Sequence, residues 1–198
     1  MSKGEETKEK IIHTALGLAS IYGLQDLSIG RLAAESRLSK SGLFAHFNSK
    51  ENLQTQIIKR VTDFYVHHVL VPAIKQPRGI PRLRAIFRNW KRWIDGDTLP
   101  GGCLAFASAV EFDDRPGAVR QEVVEMIQSL LDMLSRSARI AVEEGHFTPE
   151  TDTKQFAHEL ISIVCGYHMS SRLLKDPEAE KRSNDAFERL LDCFRREQ

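Results

Sequence analysis

Residues 28–47 read SIGRLAAESRLSKSGLFAHF, and the fold is decided here. Ser28 is a good helix N-cap, because a serine hydroxyl accepts a hydrogen bond from a first-turn N–H that has no helical partner. After it, Ile29, Leu32 and Ala33 fall on one helical face. Ser39 opens a second short helix in the same way, with Leu43 and Phe47 four apart and Phe44 beside them. Arg37 and Leu38 join the two. Two short helices, a tight turn and a hydroxyl cap on the second make a helix-turn-helix unit. In such a unit the second helix lies in the DNA major groove and the first crosses the backbone. Lys40 and Ser41 start that second helix with a phosphate-pairing cation and a small hydrogen-bonding group, and His46 follows.

Outward from this unit, Thr7 is expected to cap a helix over residues 8–22, with residues 1–6 frayed. That helix carries Ile12, Ala15, Leu16, Ala19 and Tyr22 on one stripe, and Gly23 stops it. The stripe is expected to pack on Leu32, Leu43 and Phe47. A fourth helix opens at Asn48 or Ser49, runs to about Val71, and carries Leu53, Ile57, Ile58, Val61, Phe64 and Tyr65. Lys50 and the first-turn N–H groups can bind a phosphate there.

The stretch LSKSGLFAHFNSKENL resembles the start of the tetracycline-repressor (TetR) family. The matching positions are Ser39, Lys40, Leu43, Phe44, His46, Phe47, Ser49, Lys50, Glu51 and Leu53. The resemblance covers residues 8–55, about a quarter of the chain. Two positions depart from it. Arg37 stands where the family usually has Gly at a left-handed turn, at a cost on the order of 1 kcal/mol. Phe44 stands where the family usually has Tyr, so a phosphate-binding hydroxyl is missing, and Ala45 beside it adds only a methyl.

The resemblance implies an all-α fold of about nine helices. A helix-turn-helix DNA-binding head over 1–48 would precede an effector-binding and dimerisation body over 49–198. It implies a homodimer on a palindromic operator in double-stranded DNA, acting as a repressor that a small effector of unknown identity releases. The DNA-binding residues expected are Ser28, Arg37, Ser39, Lys40, Ser41, Phe44, Ala45, His46 and Lys50. The last two helices are expected to form the dimer, with Leu190, Leu191 and Phe194 against the partner.

The 198 residues carry a net charge of +1, which by itself says little about DNA. The distribution says more: residues 1–60 hold nine Lys/Arg and six Asp/Glu, enough for a local basic face. No apolar run approaches the ~18 residues of a membrane span, and MSKGEETKEK has no apolar core of a signal peptide. Three scattered cysteines without a Cys-x-x-Cys suit buried thiols in a reducing compartment. A cytoplasmic protein without metal or cofactor is expected.

In the body, residues 80–95 form an amphipathic helix. Leu83, Ile86, Phe87, Trp90 and Ile94 share one face; Arg84, Arg88, Lys91 and Arg92 share the other, read as a solvated basic face with an anion site as the alternative. A small-residue helix follows over Cys103–Phe112. Glu111, Asp113 and Asp114 form the only dense acid cluster, best read as helix-end and cap residues. Residues 116–144 form the longest periodic helix. Residues 153–174 are apolar on two sides and so buried on both. Phe87, Trp90, Phe106 and Met126 are the expected effector-lining residues, with Tyr167 and His168 as polar handles; core filling is the alternative. An enzyme would need a nucleophile with its base or paired carboxylates in a pocket, and no such motif is present. A helical interaction module that no longer binds DNA is the third class considered.

Overall fold

The computed structural model describes residues 2–96 and 99–196, Lys3 by its backbone alone. Among the described residues there are nine helices and no sheet. They are α1 (Lys3–Tyr22), α2 (Ile29–Glu35), α3 (Lys40–Phe47), α4 (Lys50–Tyr65), α5 (Ile80–Ile94), α6 (Leu104–Phe112), α7 (Ala118–Glu143), α8 (Thr153–His168) and α9 (Ala179–Phe194). π-helical turns prolong α4 over Val66–Leu70 and α8 over Met169–Leu173.

The helix ends follow from local chemistry, with one correction. α1 starts at Ser2 rather than Thr7. The Ser2 hydroxyl accepts from Glu5 N–H, and the Glu5 carboxylate accepts from Ser2 N–H at 2.6 Å. This reciprocal capping box orders the segment that sequence alone left frayed. α2 ends in a Schellman turn: Leu38 N–H donates to Ala33 O and Arg37 N–H to Ala34 O. Arg37 sits in it at φ 55°, the left-handed conformation that glycine adopts without strain.

The chain forms two compact units. The first gathers the residues up to Phe64 with Gly96–Ile127; the second gathers Tyr65–Asp95 with the residues from Gln128 on. The first is thus larger than a 1–48 head, because α6 and much of α4 cluster with it. Its core includes Ile11, Leu16, Leu24, Leu32, Leu43, Phe47, Leu53 and Ile57, each at most 1% exposed.

The second unit is built on aromatic contacts. Tyr65 meets Trp90 edge-on at 4.8 Å, Phe87 stacks on Phe187 at 4.1 Å, and Phe156 meets Phe194 edge-on at 5.5 Å. Such geometries add to the gain from burying the rings. Here two expectations fail. Leu190 and Leu191 are buried within their own chain, and Phe194 packs on Phe147 and Phe156, so these residues build the core rather than a free dimer face. Lys91 is 5% exposed instead of solvated. Its ammonium donates to Asn184 and Glu180 and lies 5.2 and 5.3 Å from the Phe87 and Tyr167 rings.

Candidate nucleic-acid interface

α3 buries little and displays much. Leu43 and Phe47 are its buried residues; Lys40, Ser41, Phe44 and Ala45 are exposed and His46 is half-buried. The Ser39 hydroxyl accepts from Gly42 N–H and lies 3.0 Å from Ser41 Oγ. Ser28 caps α2 by accepting from Arg31 N–H at 3.1 Å. A capping hydroxyl accepts through its oxygen and keeps its proton to donate, so capping does not exclude a phosphate contact. The Lys40 stem lies along the start of α2, its Cε 3.4 Å from where a Cβ on Gly30 would stand. Arg37 is exposed on its left-handed turn. Phe44 is 42% exposed, an apolar residue of the kind suited to a thymine methyl. Lys50, the first residue of α4, is half-buried and donates to the carbonyl of Gln25 at 2.5 Å.

Glu111 does more than end its helix. Its carboxylate accepts from the N–H groups of Leu24 and Gln25, in the loop between α1 and α2. No local pattern signals this, because 87 and 86 residues separate the partners.

The expected effector residues divide between the units. Phe106, half-buried, and Met126, buried, belong to the first; Phe87, Trp90, Tyr167 and His168 belong to the second. The Tyr167 hydroxyl donates to both oxygens of Asp95, at 2.8 and 2.9 Å. Burial first, and then Asp95, pushes this phenol well above its usual range. Burial, and then Arg172, holds the His168 imidazole below the usual histidine value. Ser108 is fully buried and its hydroxyl has no partner among the described residues. A cleft of about 590 Å³ in the first unit is lined by Lys10, His13, Arg37 and Leu38, among others. One of about 580 Å³ in the second is lined by Ile80, Pro81, Arg84, His146, Arg195 and Arg196. Neither is lined by the expected effector residues. Among the described residues no group of three His, Cys, Asp or Glu could hold a metal, and no helix is long and apolar enough to cross a membrane.

An all-helical chain with a polar, outward-facing second helix in a helix-turn-helix unit is a DNA-binding regulator by class. The chain belongs to the TetR family of transcriptional regulators. Residues 11–57 match "Bacterial regulatory proteins, tetR family", and residues 79–187, more than half of the chain, match "Tetracyclin repressor-like, C-terminal domain". The family is one of non-enzymatic regulators. The nucleoid occlusion factor SlmA of Escherichia fergusonii is 28% identical over 185 residues, covering 91% of this chain and 89% of SlmA. A TetR-family transcriptional regulator from Cytophaga hutchinsonii has the same fold, with a TM-score of 0.88 at 22% identity over 100% of this chain and 99% of that one. So does AibR in complex with isovaleryl coenzyme A and operator DNA, with a TM-score of 0.68 at 21% identity over 90% and 97% of the two chains.

Proposed function

We propose that the protein is a dimeric repressor whose 1–48 head binds a palindromic operator and whose 49–198 remainder binds a small effector that releases it. The observation that carries the DNA part is the division of α3. Two side chains hold the helix in the head, and Lys40, Ser41, Phe44 and Ala45 stand exposed among the described residues. His46 is the base-reading candidate; Lys40, Lys50 and Arg37 are the phosphate candidates, with the hydroxyls of Ser28 and Ser39 beside them. Two-fold protein symmetry would be matched by a palindromic site. The effector part is supported by the aromatic second unit and by AibR, whose structure holds both isovaleryl coenzyme A and operator DNA. An apolar ligand with few polar handles is the class that aromatic side chains of this kind take. Met169, Leu173 and Leu174, 55%, 74% and 66% exposed, are three of the exposed apolar side chains and offer apolar surface to a partner subunit.

A gel shift with DNA from upstream of the protein's own gene tests the reading. A specific complex is expected, with His46→Ala changing sequence preference. A ligand that weakens operator binding must itself be weakened by operator, by the same factor. Specific binding that no ligand reverses would favour the second reading, a chromosome-bound factor without an inducer. The likeness to nucleoid occlusion factors over 91% of the chain supports that alternative.

A further inference from the structure

We propose that Glu111 is a positioning residue for DNA binding: it fixes the loop at Gly23–Gln25, and that loop fixes the Lys50 ammonium at the start of α4. The inference rests on the reading of Lys50 as a phosphate ligand. Loop peptide groups have no helical partners, and where they are buried they need others. Here the partners are specific. Leu24 N–H donates to Glu111 Oε2 at 2.9 Å and Gln25 N–H to Glu111 Oε1 at 2.7 Å. Leu24 O accepts from Gln54 Nε2 at 2.9 Å, and Gln25 O accepts from Lys50 Nζ at 2.5 Å. All four backbone polar groups of these two residues are thus held by side chains from α4 and α6, and the Leu24 side chain is fully buried.

Gly23 shows how close the fit is. Its φ is +85°, and a Cβ there would stand 3.0 Å from Glu111 Oε1. Both the conformation and the space beside the carboxylate require glycine. Gln25 therefore sits between a carboxylate on its N–H and an ammonium on its carbonyl. The ammonium has three donors, and the loop takes one. A free lysine stem must be ordered when it meets a phosphate, and that ordering weakens binding; the loop orders it beforehand. Two further bonds join α4 to α7, the helix that follows α6 in the chain: Glu51 Oε1 accepts from Ala118 N–H at 3.3 Å, and Lys59 pairs with Glu122 at 3.0 Å.

The test is a double-mutant cycle in the full chain: wild type, Glu111→Gln, Lys50→Ala and the double variant. Binding to a random-sequence duplex is read by fluorescence anisotropy over a salt series. Lys50→Ala is expected to weaken binding and to flatten the slope of log K against log salt by about 0.9 for each phosphate that is no longer neutralised. Glu111→Gln keeps one acceptor oxygen in nearly the same shape. It is expected to weaken binding roughly two- to tenfold, the effect of ordering one long side chain, and to have no further effect once Lys50 is alanine. The same loss in both backgrounds, or none in either, overturns the proposal. An unchanged affinity and slope in Lys50→Ala alone would overturn the phosphate reading of Lys50, and this inference with it. Hydrogen exchange of the wild type is independent of any variant. The Leu24 and Gln25 amides are expected to be protected without DNA, and exchange as fast as free loop amides would overturn the clamp.

Discussion

Lys40 reads in the sequence as a phosphate-pairing cation and Lys91 as part of a solvated basic face, so both ammonium groups are expected on the outside. The structure exposes Lys40 on α3 and leaves Lys91 on α5 5% exposed, beneath Glu180 and Asn184 and between the rings of Phe87 and Tyr167. The difference lies in what packs on the helix. α3 meets the head on one narrow stripe, Leu43 and Phe47, and Lys40, Ser41, Phe44 and Ala45 are exposed among the described residues. α5 meets α8 and α9, so even its polar side is partly interior. A polar residue left uncovered on a short helix points to an outside partner; one that is covered is part of the fold.

Five experiments bear on this contrast, from the largest effect down. Leu190→Asp places a carboxylate without a partner in the core, at a cost of several kcal/mol. Circular dichroism should show an unfolded chain, whereas a folded monomer would return Leu190 to a subunit interface. Trp90, 0% exposed, should lose about 3–5 kcal/mol on Trp90→Ala in urea unfolding. The exposed Phe44 should lose within about 0.5 kcal/mol on Phe44→Ala while DNA binding weakens. Equal stabilities for the two would erase the distinction between the regions. Arg37→Gly relieves the left-handed strain at φ 55° and should raise the unfolding free energy by on the order of 1 kcal/mol, with DNA affinity reduced because a cation is removed.

Lys91→Met replaces a buried, paired ammonium by an apolar chain of similar length, and such exchanges are often neutral or stabilising. Stability within about 1 kcal/mol of wild type is expected, and a loss of several would mean that the ion pair, rather than the packing of the stem, holds α5. The smallest effect is that of pH on the second unit. His168 is held low by burial and then by Arg172, and His68 by burial and then by His67. A histidine whose folded pKa lies below its unfolded value is neutral in the fold by preference. The fold is therefore at full strength above the unfolded value of about 6.5 and weakens as pH falls below it. The melting temperature of wild type should drop more than that of His168→Asn on acidification through this range.

The head was legible because its signals are local. Ser28 and Ser39 cap within three residues, Leu43 and Phe47 meet across one turn, and the left-handed turn at Arg37 follows from the close spacing of the two helices. The all-helical class and the family came from the same stretch. Ser2 was missed although its partner, Glu5, is three residues away, since a polar terminus reads equally well as frayed. Elsewhere tertiary structure decided. Periodicity finds the apolar face of α5 and α9 but not what lies against it, so Leu190 and Leu191 turned inward rather than to a partner, and Lys91 was buried by residues near position 180. Glu111 shows the limit most plainly. Its neighbours mark a helix end, yet its hydrogen bonds go to amides 86 and 87 residues away. By itself the sequence determined what neighbours within a turn can enforce, namely caps, helix faces and the helix-turn-helix. Which distant groups share one carboxylate, or cover one lysine, was set only when the helices packed, because those free energies arise between segments that the sequence does not place side by side.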